Sequence, residues 1–227
     1  MAGSTFKVAD SRGESLYQYD SSEVSCAGAY LWPALAREIQ GLRLAQGARV
    51  FDLGCGNGSM SARMHAFGLN VTGVDPSTSG IAYAKANHPQ LCVESGNAYD
   101  DLASRFGRFP LVVSLEVVEH VFDPRRYART LFDLVEPGGT AIVSTPYHGY
   151  LKNVALAIAG KMDSHFTALW DGGHIKFFSI RTLGILLREA GFTDLSFNRI
   201  GRIPVLAKSM MAVARKPKAD EPARAER

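Results

Sequence analysis

Glu116, Glu119 and His120 stand at i, i+3 and i+4 in Leu115-Glu116-Val117-Val118-Glu119-His120. On a helical turn this spacing puts two carboxylates and an imidazole on one face. Two chemistries suit such a set. Carboxylate oxygens hold magnesium, and an imidazole nitrogen admits a transition metal. Alternatively, an imidazole that titrates near neutral pH takes a proton from a reacting hydroxyl. His120 and His174 are the two candidate bases. His174 follows Gly172-Gly173 and precedes Phe177-Phe178, a flexible approach with an apolar anchor behind it. One histidine does not readily serve as both ligand and base, so the two readings separate by mutation.

The position of the acids follows from the segment before them. Pro110 to Leu115 is an apolar run with the character of a buried strand, so Glu116 and its successors emerge at its carboxyl end. Other strands are predicted at Arg49 to Leu53, Asn70 to Asp75, Leu91 to Glu94 and Thr140 to Ser144, with late strands at Leu195 to Ile200 and Met210 to Ala214. Helices are predicted at Cys26 to Leu42, Ser59 to Phe67, Thr78 to Asn87, Arg125 to Leu134 and Ile180 to Ala190. This alternation implies an α/β fold, a seven-stranded parallel sheet with helices on both faces. The segment 147–178 breaks the rhythm. It carries a short apolar helix at Val154 to Ile158 and a loop rich in aromatics and histidines. It reads as a lid insertion after the fifth strand, over the sheet's ligand-binding edge. Trp170, Phe166, Phe177 and Tyr147 would wall a pocket there or fill core. Lys152 and Lys161 flank the apolar helix, which suits contact with a lipid surface or packing on the pocket.

The first strand runs into Asp52-Leu53-Gly54-Cys55-Gly56-Asn57-Gly58, with glycines at alternate positions. Such a strand-to-helix turn lets a ligand touch backbone. Asp75 ends the second strand 23 residues after Asp52, where a βαβ unit presents an acid to ribose hydroxyls. A dinucleotide fingerprint needs Gly or Ala where Ser59 stands, and the carboxylate of Asp52 would repel a pyrophosphate. S-adenosylmethionine has no phosphate and carries an ammonium that Asp52 can reach through water or an amide.

The stretch therefore resembles motif I of the class I S-adenosylmethionine-dependent methyltransferases. The resemblance implies a Rossmann-like fold and a cofactor site of Asp52, Gly54, Cys55, Gly56, Gly58, Asp75, Pro76, Asn97, Ala98 and Leu115. Asn97 stands where many relatives have an acid for the adenine amino group, and its carbonyl oxygen offers the same acceptor. Tyr17 and Tyr19 resemble residues that close over the cofactor. Glu-Val-Val-Glu-His resembles the ubiquinone-biosynthesis O-methyltransferases and the small-RNA 2′-O-methyltransferases. There the residues matching Glu116, Glu119 and His120 are associated with a divalent metal, Mg2+ among the expectations here. The RNA enzymes use a further histidine, for which His174 is the counterpart and His148 the second choice. The implied activity is O-methylation of a small-molecule hydroxyl, with N- or C-methylation as the alternative. RNA methylation and a nicotinamide-dependent oxidoreductase rank behind these.

Composition sets outer bounds. The chain has 227 residues and a net charge of +3, with no basic stripe for nucleic acid. The length suits one methyltransferase domain over 1–214, with 1–45 as an N-terminal cap segment and 215–227 as a disordered tail. Cys26, Cys55 and Cys92 form neither a zinc pattern nor a disulfide framework. No apolar run approaches the roughly 18 residues of a transmembrane helix. Met1-Ala2-Gly3-Ser4 lacks the order of a signal peptide, so the expected compartment is the cytoplasm. No motif encodes the acceptor's identity or the oligomeric state.

Overall fold

The computed structural model describes Tyr19 and residues 26–218. Tyr17, most of the expected N-terminal cap and residues 219–227 of the expected tail lie outside the described residues.

Seven strands form one sheet: β1 (Arg49–Leu53), β2 (Asn70–Asp75), β3 (Cys92–Ser95), β4 (Phe109–Leu115), β5 (Val135–Pro146), β6 (Thr193–Ile200) and β7 (Ser209–Arg215). Their order is β3-β2-β1-β4-β5-β7-β6, with β7 antiparallel to both neighbours, contrary to the parallel expectation, and the other pairs parallel. The chain leaves β1 for β2 on one side and later places β4 on the other. That reversal opens a crevice at the carboxyl ends of β1 and β4.

Helices α1 (Cys26–Gly41), α2 (Ser59–Ala66) and α3 (Thr78–Asn87) pack on one face, and α4 (Leu102–Phe106), α5 (Pro124–Leu134) and α8 (Ile180–Glu189) on the other. Strand residues alternate between the two cores. Phe51 and Leu53 join the second, while Val50 joins the first with Leu31, Leu35 and Ile39 of α1. In α5, Tyr127, Leu131 and Leu134 recur at helical spacing and are fully buried, each leucine contributing about 1.5–3 kcal/mol. Asp123 starts that helix by accepting from the Arg126 amide at 3.1 Å, and Pro124 takes the position where a missing N–H costs nothing.

Four differences from the sequence expectation have local causes. β5 begins at Val135, because Pro137-Gly138-Gly139 is an irregular strand entry paired through Lys216 and not a break. α4 and α7 (Met162–Phe166) are too short to show a helical period. α6 (Tyr150–Ile158) begins a turn before the apolar stretch. The expected tail boundary at Arg215 moves: Arg215 closes β7, and buried Lys216 donates to the carbonyls of Phe132 and Val135 at 2.7 and 2.8 Å. No helix among the described residues is long and apolar enough to cross a membrane.

Candidate active site

A cavity of about 770 Å³ occupies the crevice at the carboxyl ends of β1, β2 and β4. The glycine turn forms one wall. Gly54 and Cys55 donate their amides to the Val74 carbonyl at 2.8 and 3.0 Å, folding the turn back over β2. Asp75 then holds it: one carboxylate oxygen accepts from the Gly56 amide at 2.9 Å and the other from the Ser77 amide at 2.8 Å. Each oxygen keeps a second lone pair beyond these bonds, and Asp75 lines the cavity. Burial pushes its carboxyl above the usual range, and the two amides oppose that shift. Gly73 was not singled out by sequence, yet a Cβ there would meet Cys55 Cβ at 2.8 Å.

Most of the expected cofactor set meets at this wall. Asp52, Gly54, Cys55, Asp75, Pro76, Asn97, Ala98, Leu115 and Tyr19 all line the cavity. Gly56 and Gly58 do not. Gly56 turns at φ 54° beneath the Tyr19 hydroxyl, and Gly58 turns at φ 77° against Ala84 of α3, so both shape the turn from behind. Tyr19 is tethered by its amide to Ser79 Oγ at 3.0 Å. Asn97 lines the cavity, and its side-chain oxygen accepts from the Tyr99 amide at 3.0 Å, a local turn that leaves that oxygen a second lone pair. Asp52 is buried and accepts from Ser61 Oγ. Burial lifts its carboxyl to about 7, and the Ser61 hydrogen bond limits the rise.

The facing wall carries Glu116, His120 and His174, with Glu119 buried beside them, and here one expectation is corrected. Glu116 to His120 is not a helical turn with a shared face. Glu116 adopts a left-handed backbone at φ 55°, a strained conformation costing about 1–3 kcal/mol. Its carboxylate turns toward β5 and β7, accepting from Ser144 Oγ at 2.8 Å and Ser209 Oγ at 3.2 Å. Tyr30 extends this network through Ser209 at 2.8 Å. Burial raises the Glu116 carboxyl to about 7, against the pull of Ser144, Ser209 and Lys152. Glu116 is thus removed from the expected metal set.

His174 takes its place. One ligand atom each from Glu119, His120 and His174 lies within 4.8 Å of the others. Glu119 is 1% exposed, and neither carboxylate oxygen has a hydrogen-bond partner; the Thr145 hydroxyl beside it misses hydrogen-bond geometry. Burial and the Glu116 charge push this carboxyl well above the usual range. A buried carboxylate without donors is costly unless a cation faces it. His120 Nδ1 lies 3.0 and 3.1 Å from the Gly172 and Gly173 carbonyls, so it carries the proton and the neutral ring's lone pair is on Nε2. Burial lowers the His120 pKa; burial and the His120 ring lower that of His174 to about 4. Both rings are held neutral, the ligand form. The residues present fit a divalent cation, and one carboxylate with two imidazoles suits manganese, cobalt or zinc better than magnesium.

The segment carrying His174 is docked on Glu119, whose carbonyl accepts from the Ile175 and Lys176 amides at 2.9 and 3.0 Å. Gly173 is needed there, since a Cβ would meet the Trp170 carbonyl at 2.8 Å. Trp170 lines the cavity; Phe166 and Phe177 instead pack around His148, and Tyr147 also lies off the cavity. His148 is therefore not the further histidine. Ser144, Ser209 and Tyr30 escaped the sequence reading, although serines inside the apolar strands β5 and β7 were a usable signal.

This topology, with a glycine turn and an acid at the ends of adjacent parallel strands, suits a nucleoside ligand in the crevice. Residues 29–196 match the family described as "Methyltransferase domain", and the chain belongs to that family. It is 37% identical over 164 residues to a protein of Azorhizobium caulinodans named "Ubiquinone biosynthesis O-methyltransferase", covering 68% of this chain and 62% of that one. A protein of the same name from Cereibacter sphaeroides is 36% identical over 153 residues, 64% and 60% of the two chains. The chain thus spans about three fifths of the length of these relatives. The solved magnesium protoporphyrin IX methyltransferase of Synechocystis, with bound SAH, shares the fold at TM-score 0.61 and 20% identity over 81% of each chain.

Proposed function

We propose that the protein is an S-adenosylmethionine-dependent O-methyltransferase for a small molecule whose acceptor hydroxyl has a neighbouring oxygen, as in a catechol. The observation that carries this is the unpartnered Glu119 carboxylate beside His120 and His174, across one cavity from the glycine turn. Relatives named as O-methyltransferases support oxygen as the acceptor atom.

S-adenosylmethionine supplies an already activated methyl group, so the chain's work is alignment and proton removal. Asp75 and the Gly54 turn would seat the nucleoside end, and Asp52 the ammonium end. Tyr19 would exclude water from above. Orientation of this kind lowers a barrier by about 7–11 kcal/mol. A divalent cation held by Glu119, His120 and His174 would acidify a hydroxyl and orient its neighbour. Glu116, titrating near 7 at the cavity wall, is placed to accept the released proton and pass it along Ser209 and Tyr30.

The test is a turnover assay with S-adenosylmethionine, manganese and a series comprising a catechol, its monomethyl ether and a simple phenol. Methylation of the catechol, much slower reaction of the other two, and loss with a chelator are expected. Equal rates for all three would reject the chelating acceptor.

A further inference from the structure

Thr145 and Tyr127 each bury a hydroxyl that has no hydrogen-bond partner among the described residues, as Glu119 does with both carboxylate oxygens. Thr145 comes from β5 and Tyr127 from α5, and both hydroxyls neighbour the Glu119 carboxyl. Buried tyrosine hydroxyls and buried carboxylates ordinarily find partners. A hydroxyl donates and an ionised carboxylate only accepts, so the three groups are complementary.

Strand alternation brings them together. Ala141 and Val143 of β5 belong to the core under α5, with Tyr127, and Ile142 belongs to the other core. Successive side chains of a strand point to opposite faces, so Ser144 follows Ile142 and Thr145 follows Val143. Ser144 donates to Glu116 at 2.8 Å. Thr145 is left on the α5 side, with Glu119 as its acid. Neither Thr145 nor Tyr127 lines the main cavity, so any effect on a ligand there passes through Glu119. Glu119 Oε1 lies 4.0 Å from His174 Nε2, which leaves Oε2 to the hydroxyls.

We propose that Thr145 and Tyr127 are positioning residues: with a divalent cation in place, their hydroxyls donate to Glu119 and hold its other oxygen toward His120 and His174. The inference rests on the cation reading of that triad. Ligating carboxylates are themselves hydrogen-bonded, and removal of such a partner costs about 10–100-fold in metal affinity.

The experiment titrates manganese calorimetrically into the full chain and into Thr145→Val and Tyr127→Phe, which remove a hydroxyl and nearly keep the side-chain shape. Each variant should weaken manganese by about tenfold or more. Thr145→Ser keeps the hydroxyl and should bind close to the wild-type value. Melting of the metal-free proteins is read alongside. Deleting an unpartnered hydroxyl should not lower Tm in Tyr127→Phe or Thr145→Val, whereas a merely structural hydroxyl would lower it and leave the metal alone. Unchanged S-adenosylhomocysteine affinity reports that each variant is folded. The hydroxyls come from different elements, so one variant carries the test should the other not fold. Wild-type manganese affinity in Thr145→Val and Tyr127→Phe overturns the proposal and leaves the cation reading intact. Absence of manganese binding in the wild type overturns the cation reading, and the proposal with it.

Discussion

His174 Nε2 lies 4.0 Å from Glu119 Oε1, although the two residues are 55 positions apart. The contact exists because the segment after Gly173 hangs from the Glu119 carbonyl by two amides. The backbone of Glu119 thus holds the second imidazole opposite His120 and beside the carboxylate of the same residue.

From this pairing we expect manganese binding to depend on Glu119 and not on Glu116. Glu119→Gln should weaken it by more than about a hundredfold, beyond the cost of losing an outer-shell partner. Glu116→Gln should leave it unchanged, since Ser144 and Ser209 hold that carboxylate away. Calorimetric titration of the metal into each variant decides it. In metal-free protein Glu119→Gln should raise Tm, because an unpaired buried carboxyl is replaced by a neutral amide.

Asp52 sets a pH dependence for the cofactor. Its carboxyl keeps a proton to about pH 7 in the folded chain, whereas the unfolded chain loses it near the ordinary value of about 4. The native state binds more protons over that interval, so ligand-free stability falls as pH rises through it. Affinity for the cofactor's ammonium should move the other way, tightening about tenfold from about pH 6 to about pH 8 as the carboxylate forms. Asp52→Asn should flatten the profile. A profile of S-adenosylhomocysteine affinity that stays steep in Asp52→Asn would assign the titration to another group.

The sequence carried the sheet and most of the residues that line the glycine-turn side of the cavity, because both follow from short-range rules. An apolar run ending in Asp52 or Asp75, followed by glycine or a capping serine, is strand then turn wherever it occurs. The facing wall obeys no such rule. Glu116 and Glu119 share a helical spacing, yet the chain after β4 takes a left-handed residue and a tight turn, which sends one acid to Ser144 and the other to His174. That choice is made by β5, β7 and the 172–176 segment, all distant in sequence. The displaced roles of Gly56 and Gly58 have a similar origin, since their neighbours are Tyr19 and α3.

Gly58 should be the less replaceable of two glycines with similar backbones. Gly47 and Gly58 have φ of 75° and 77°, so alanine costs each about 1–2 kcal/mol of left-handed strain. Only at Gly58 would the new Cβ strike a neighbour, Ala84 Cβ at 2.8 Å and its Cα at 3.3 Å. Overpacking there adds about 1–3 kcal/mol. At about 2–4 °C per kcal/mol for a chain of this size, Gly58→Ala should melt at least about 2 °C below Gly47→Ala. It should also weaken S-adenosylhomocysteine, because α3 and the turn must part. Equal melting of the two variants would show that α3 yields without cost.

Lys216 should behave as a structural residue despite its place near the chain's end. Its ammonium donates to the Phe132 and Val135 carbonyls at the end of α5 and lies 4.2 Å from the Phe132 ring centroid. The last carbonyls of a helix have no internal partner and carry its negative pole, so a buried cation there satisfies both needs. Lys216→Met keeps the apolar stem but strands two carbonyls, for a loss of about 1–3 kcal/mol. The corresponding fall in Tm is about 2–12 °C. Lys85→Met, on an exposed face of α3, should change Tm far less, and thermal unfolding of the two variants side by side is the check. Equal melting would return Lys216 to the tail that its position suggested.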